Sequence, residues 1–321
     1  MAAVVVIAHN PVPAGADPAT ADVLEQVAAV AEALEDLGIA YELCEVTDPT
    51  AVEPFRGKIV FNLFEAAPGQ FQLPLAFAQA LETAGIPFTG SASEVLTLTT
   101  NKVATRKRLA QFGIPVAPGG VAFQDLDLVP PPWLAKPAWE DASLGLEGNP
   151  VCFTPEDLEQ RVAHLAQRFP GQEILLEHFL PGREFNVSLL AAGNTLEVLP
   201  VAEIAFVDFP PNVPPLVSYE AKWEQGSFAD THTVRVFPPA EDPVVSAVRE
   251  LALQAALACG VCGYARVDLR CNEKGTPCVL EVNANPCLAT GAGFLAAAAQ
   301  KGLKPSQVVA RILAAAGVEC A

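Results

Sequence analysis

The most constraining stretch of this chain lies near its C-terminal end, where Gly263-Tyr-Ala-Arg266-Val-Asp268-Leu and Val279-Leu-Glu281-Val-Asn283 flank a turn-forming Asn272-Glu-Lys-Gly275. Two such runs around a turn read as a β-hairpin. Side chains alternate faces along a strand, so Arg266 and Asp268 share one face and Glu281 and Asn283 share one face. Val267, Leu269 and Val282 then point the other way. The polar face gathers three oxygen donors and one guanidinium. Carboxylate and amide oxygens held on rigid strands suit the hard cation Mg²⁺, whose other ligands are waters and phosphate oxygens. A nucleotide phosphate is the natural remaining ligand. The competing reading is an ion-pair network on a solvated sheet face. Two features favour the metal site: apolar sequence bounds the hairpin, and Asn283 runs into Asn285-Pro286 and a small-residue loop that lets backbone approach a ligand.

At 321 residues the chain is long enough for two or three lobes with a cleft between them. Apolar residues make up 51% of it, yet no run approaches the roughly 18 uninterrupted apolar residues of a membrane span, so a soluble protein with no membrane partner is expected. Val4-Val5-Val6-Ile7 lacks a preceding basic region and leads into His9-Asn10-Pro11. It reads as a buried strand rather than a signal peptide, which makes the cytoplasm the expected location. A formal charge of −18 with no Lys/Arg cluster argues against nucleic acid as a partner. Against only 19 Lys and Arg, Lys102, Lys136 and Lys222 stand out because each lies in an apolar or Gly/Pro-rich segment. The eight cysteines, Cys44, Cys152, Cys259, Cys262, Cys271, Cys278, Cys287 and Cys320, are scattered without secretory context, so reduced thiols are expected. Cys259-Gly-Val-Cys262 has the gap of a zinc knuckle but joins an Ala/Leu helix to an apolar strand, which suits small buried hydrophobes better.

The pattern predicts an α/β chain of three lobes. Residues 1–95 form an open parallel α/β lobe: a strand at 3–8, a helix over 21–37 with Val23, Leu24, Val27, Val30, Ala31, Leu34 and Leu37 on one stripe, and a strand at 58–63. Residues 96–182 form a central lobe with a helix carrying Lys102, the strand 133–137, a small-residue loop at 139–148, a helix near 155–168 and the strand 173–178. Residues 183–321 form a third, α+β lobe. It has strands at 185–190 and 195–204, a Pro-rich excursion at 210–215, a loop at 221–232, the helix 243–258, the hairpin and a last helix near 305–316.

Arg-x-Asp followed by Glu-x-Asn-x-x-Pro is similar to the C-terminal signature of ATP-grasp enzymes resembling D-alanine–D-alanine ligase. Other segments then match in order. Thr100-Asn101-Lys102, with Arg106 and Gly113-Ile114-Pro115-Val116 behind it, resembles the family's phosphate-contacting lysine helix. Ala135-Lys136-Pro137 and Asp141-Ala-Ser143-Leu-Gly145 resemble its second phosphate lysine and the loop that closes over the triphosphate. Glu177-His178-Phe179-Leu180-Pro181-Gly182-Arg183-Glu184-Phe185 resembles the adenine-binding linker, and Tyr219-Glu220-Ala221-Lys222-Trp223 the mobile loop.

The resemblance implies a three-lobed ATP-grasp fold, ATP with Mg²⁺ or Mn²⁺, and small-molecule carboxylate and amine substrates on a homodimer. It implies Asp268, Glu281 and Asn283 as metal ligands, and Lys102, Lys136 and Lys222 on the phosphates. Backbone around Glu177 and Leu180 would meet the adenine and Glu184 the ribose. Arg266 would stabilise the oxyanion, and Ser143 would donate hydrogen bonds within a lid formed by the 139–148 and 221–232 loops. The implied reaction phosphorylates a carboxylate and then lets an amine displace the phosphate.

The resemblance fails at both substrate anchors. Where the family carries a glutamate after its first strand, this chain has Ala8-His9-Asn10-Pro11-Val12-Pro13. Where the family has glycine and then a serine after the Asn-x-x-Pro, it has Cys287-Leu288-Ala289-Thr290-Gly291. A ligase with altered substrates is expected, with His9 and Thr290 as replacement anchors to examine. The alternatives are a true D-alanine–D-alanine ligase with substituted anchors, a non-catalytic ATP-binding regulator, and a kinase that releases its phosphorylated substrate.

Overall fold

The computed structural model describes residues 4–316, so Cys320 and the first residue of the expected opening strand lie outside the described residues. Strands β1 (Val5–His9), β2 (Tyr41–Glu45) and β3 (Ile59–Leu63) form a parallel sheet in the order β2-β1-β3. All of β1 is buried, as a central parallel strand under a helix must be. That helix, α1 (Pro18–Asp36), starts three residues before the expected position 21. The Asp17 carboxylate accepts from the Thr20 N–H at 3.1 Å, and Pro18 fits a first turn that needs no donor. Val23, Val27, Val30 and Leu34 are buried, but Leu24 and Leu37, expected on the same stripe, are exposed. A residue one step along a helix is turned about 100° away, so Leu24 cannot share the face of Val23.

Helices α2 (Gln72–Thr83), α3 (Ser93–Thr100) and α4 (Lys102–Gln111) follow. The single helix expected around Lys102 is two, because Asn101 turns extended and its side chain accepts from the Ala104 N–H at 2.8 Å. Lys102 is therefore the first residue of α4. The central sheet is antiparallel, in the order β4-β7-β5-β6, from β4 (Gly119–Gly120), β5 (Trp133–Pro137), β6 (Val151–Cys152) and β7 (Ile174–His178). The helix α5 (Pro155–Arg168) covers one face, burying Leu158 and Leu165 against Ala135 and Leu176.

The third sheet runs β11-β10-β8-β12-β13, with β9 paired to β8. Its strands are β8 (Glu184–Ala192), β9 (Thr195–Val198), β10 (Ala202–Phe206), β11 (Thr233–Val236), β12 (Tyr264–Cys271) and β13 (Pro277–Asn283). The strand expected over 195–204 breaks at Leu199-Pro200-Val201, where proline cannot donate to a ladder. The loop expected at 221–232 contains two short helices, α6 (Tyr219–Trp223) and α7 (Phe228–His232). Helix α8 (Pro243–Cys259) covers the apolar face of the third sheet, where Phe185, Val187, Val267, Leu269 and Val282 are all buried. Helices α9 (Gly293–Gln300) and α10 (Pro305–Ala314) return to the first lobe, with Phe294, Val308 and Ile312 in one core with Ile7, Val30 and Leu34. The first and third sheets thus share their cores, leaving the polar face of the third sheet toward the central lobe. Cys259, Cys271 and Cys278 are buried free thiols in these apolar clusters. Among the described residues no helix is long and apolar enough to cross a membrane.

Candidate active site

The hairpin forms, but its register is not the one that uninterrupted alternation from the turn would give. Arg266 lies opposite Asn283 and Asp268 opposite Glu281, with a bulge after Asp268. On the other side β8 puts Asn186 opposite Asp268 and Glu184 opposite Arg270. One sheet face therefore carries Glu184, Asn186 and Arg270 beside the expected Arg266, Asp268, Glu281 and Asn283.

Arg266 grips Asp268 with two parallel hydrogen bonds, Nε to Oδ1 and Nη2 to Oδ2, both 2.7 Å, and its Nη2 is 3.9 Å from Glu281. A fork-on-carboxylate pair of this kind fixes the guanidinium plane. Asn186 also donates to Asp268 Oδ1 at 2.8 Å. The Asn283 amide nitrogen sits 3.3 Å from both Asp268 Oδ2 and Glu281 Oε1. The positive end of an amide dipole thus occupies the place between two carboxylates where a cation would be held. This donor set fits Mg²⁺, which prefers few carboxylates plus phosphate and water oxygens. Burial pushes the Glu281 carboxyl up, but Lys102, Lys222 and Arg266 outweigh it and hold it well below the usual carboxylate range.

Lys102, buried at the start of α4, reaches the same face. Its Nζ donates to the Glu140 carbonyl and to Asp141 Oδ1 at 3.0 Å, and lies 3.8 Å from Glu281. Lys136 on β5 pairs with Glu177 at 2.6 Å, and Arg106 approaches the same carboxylate at 3.5 Å while donating to the Gly119 carbonyl at 2.9 Å. The Glu177 backbone is part of the β5–β7 ladder, whereas among the described residues no backbone hydrogen bond engages Leu180. Glu184 is committed on one oxygen to Arg270, at 2.8 Å. Arg270, unremarked in the sequence, is buried between the rings of Phe179 and Phe206. Lys222 on α6 is exposed, and partial desolvation and then the Arg266 guanidinium lower its affinity for a proton.

The two expected lid segments meet. Ser143 Oγ donates to the Val217 carbonyl at 2.9 Å, Trp223 Nε1 to the Ala142 carbonyl at 3.0 Å, and the Gly148 N–H to Glu220 at 2.8 Å. Ala142 and Ser143 both hold positive φ, 56° and 62°, a conformation that side-chain-bearing residues adopt at a cost and that recurs at ligand clamps.

Near the missing substrate anchors the structure gathers different residues. His9 is buried, with Nδ1 at 2.8 Å from the Asn10 carbonyl, and Thr290 is exposed. Asp22 on α1 accepts from the Cys287 thiol at 3.0 Å, and Gln26 donates to Glu65 at 2.8 Å. Glu65 follows β3 at the carboxyl end of the parallel sheet, where ligands of such sheets bind, and that position was its only sequence signal. Tyr264 donates to Asn285 at 2.6 Å, and Asn285 donates to the Asn62 carbonyl at 3.1 Å, tying this edge to the hairpin. Gly90 is required there, since a Cβ would stand 2.8 Å from Asn285 Oδ1.

Burial pushes the Glu65 carboxyl from 4.5 up to about 7, against the Gln26 bond and with help from Asp22 and Asp141. Folding thus favours its protonated form, so this contribution to stability is complete below pH 4.5 and is lost as pH rises to about 7. Denaturant unfolding across that window should show the loss in the wild type and a flatter profile in Glu65→Gln. Parallel profiles would mean that Glu65 is not desolvated.

A three-lobed molecule whose central and third sheets face one another across a cleft lined by these lysines and carboxylates is an ATP-grasp protein. Residues 125–314 match the family model for the D-Ala D-Ala ligase C-terminus. The D-alanine–D-alanine ligase of Bordetella avium is 31% identical over 301 residues, 89% of this chain and 87% of that one. An uncharacterized protein of Sinorhizobium fredii, y4sG, is 30% identical over 298 residues, covering 88% and 85%. The crystal structure of the Bacillus anthracis D-alanine–D-alanine ligase complexed with ATP superposes with a TM-score of 0.75, covering 98% of this chain and 97% of that one at 17% identity. The chain belongs to the D-alanine–D-alanine ligase family.

Proposed function

We propose that this protein is an ADP-forming ligase that joins a carboxylate, activated by phosphorylation, to the amine of an amino acid. The observation that carries this is the single sheet face on which Arg266, Asp268, Glu281 and Asn283 stand opposite Lys102. An ATP-binding regulator would have no need of all four.

Lys102 and Lys136 act as point charges for the triphosphate, and Leu180 offers its free backbone groups to the adenine. Glu184, already held by Arg270, turns its other oxygen to the ribose. Asp268, Glu281 and Asn283 would hold Mg²⁺, which when bound would supply charge neutralisation to the phosphates. Lys222 steadies the γ-phosphoryl group as a substrate carboxylate oxygen attacks its phosphorus and ADP leaves. The amine then attacks the acyl carbon. Arg266 stabilises the oxyanion of the adduct, phosphate departs carrying the former carboxylate oxygen, and the amine loses a proton as the amide forms. The joined 139–148 and 217–232 segments exclude water, which would otherwise hydrolyse the acyl phosphate, with Ser143 fastening one to the other. Glu65 stands where an ammonium group of the first substrate can be met by a carboxylate.

The test is ADP release with Mg²⁺-ATP against D- and L-amino acids, singly and in pairs. Turnover is expected to need both a carboxylate and an amine. Phosphorylated product formed without any amine would make the protein a kinase, and tight ATP binding with no stimulated turnover would make it a regulator. Turnover of D-alanine alone would make it a dialanine ligase with substituted anchors.

A further inference from the structure

Among the described residues Arg270 is the only buried arginine, and its hydrogen bonds go neither to the proposed metal ligands nor toward the phosphate lysines. Its guanidinium lies between two rings, with the central carbon 4.8 Å from the centre of Phe179 and 5.4 Å from that of Phe206. Phe179 belongs to the linker after β7 and Phe206 ends β10, so the slot is assembled by the fold and not by neighbours in sequence. From that slot the fork reaches two acceptors. Nη1 donates to Glu184 Oε2 at 2.8 Å and Nη2 to the Pro215 carbonyl at 2.6 Å, while among the described residues Nε has no acceptor. The first acceptor is fixed by the pairing of β12 with β8, which sets Arg270 directly opposite Glu184. The second lies two residues before Val217, whose carbonyl accepts from Ser143 of the opposite lid segment.

Stability does not explain this arrangement. Desolvating two charges offsets much of what their attraction returns, a well-packed apolar pair of similar volume often serves a core as well, and the unanswered Nε adds a further cost. What the pair does supply is a carboxylate fixed in place. Burial raises the Glu184 carboxyl, Arg270 opposes this most strongly, and Asp268 adds to it, so the ionised form depends on the guanidinium beside it. Among the described residues Glu184 has no second hydrogen-bond donor, which leaves its other oxygen for a ligand. A lysine could not replace the arginine here, because an ammonium group neither lies flat between two rings nor presents two donors in one plane. We infer that Arg270 is a positioning residue for the choice of nucleotide: by locking Glu184 in the orientation that meets the sugar hydroxyls, it makes the site select a ribonucleotide over one that lacks them. The inference rests on the placement of ATP proposed above and deepens it.

The experiment is calorimetric titration of the full chain with Mg²⁺-ATP and with Mg²⁺-2′,3′-dideoxy-ATP, with no other substrate present, so that binding is read and not turnover. The wild type is expected to bind ATP about 10- to 100-fold more tightly, the range for hydrogen bonds to a charged acceptor. Arg270→Met should remove most of that preference while leaving the affinity for the dideoxynucleotide nearly unchanged. Arg270→Lys keeps a cation in the slot without the fork and should fall between the two; it carries the test if Arg270→Met does not fold. Glu184→Gln should abolish the preference as well, and adding Arg270→Lys to it should remove nothing more, because residues that act as one unit are not additive. Equal affinities in the wild type, a preference that survives Arg270→Lys undiminished, or a parallel loss of both nucleotides in the Arg270 variants, as a displaced Phe179 would give, overturns the inference and leaves the ligase reading standing. A wild type that binds neither nucleotide removes the ligase reading itself.

Discussion

Glu281→Gln should lower ADP release by about 100- to 1000-fold, the cost of losing one preorganised charge at a phosphoryl- or acyl-transfer centre. The carboxylate stands 3.8 Å from Lys102 and 3.9 Å from Arg266, and three cations hold it ionised. Glutamine keeps the shape and removes the charge, leaving Lys102 with Asp141 and Arg266 with Asp268 as their carboxylate partners and one metal ligand weaker. Because Glu281 is only one of the proposed ligands, raised Mg²⁺ should restore part of the rate. A variant that retains wild-type turnover at ordinary Mg²⁺ would remove Glu281 from the metal site.

Arg266→Lys should reduce kcat by about 100-fold or more while leaving KM for ATP nearly unchanged, the signature of an interaction made mainly in the transition state. A lysine retains the charge but cannot reproduce the two 2.7 Å bonds to Asp268, so it would not be held in one plane above the reacting carbon. Arg266→Gln should be worse in a second way, because breaking a buried pair and leaving its acid behind costs about 3–5 kcal/mol. Thermal unfolding separates the two effects: Arg266→Lys is expected to melt near wild type, Arg266→Gln well below. Equal losses of kcat in both, with equal melting points, would assign Arg266 a purely structural place.

Much of this site could be read from one strand pair, because a period of two puts Arg266 with Asp268 and Glu281 with Asn283. That the two pairs meet on one face depends on the bulge after Asp268, without which Asp268 would lie opposite Leu280, and alternation does not announce it. The lysines were legible for another reason: in so acidic a chain, a lysine in an apolar segment is conspicuous. Asn186 was not, since it joins the site only through the order of strands in the sheet, which no local pattern encodes, whereas Arg270 continues the period of Arg266 and Asp268 along β12. Glu65 is not legible from its neighbours in sequence, because only the parallel pairing of β1 with β3 brings the end of β3 beside the end of the first strand. Helices α6 and α7, five residues each, are too short to show a period, and their stability comes from Ser218 and Ser227 caps and from contact with the opposite lid. The divided helix at Asn101 was hidden because Asn101 is an ordinary polar residue in a helical run until its side chain is seen capping the next one.

The most direct measurement of the proposed chemistry follows oxygen. With a heavy-oxygen label in the substrate carboxylate, the ligase mechanism predicts one labelled oxygen in each phosphate released and one amide formed per ADP. Unlabelled phosphate, released with or without amide, would show that no acyl phosphate forms and would contradict the assignment of this site to a carboxylate–amine ligase.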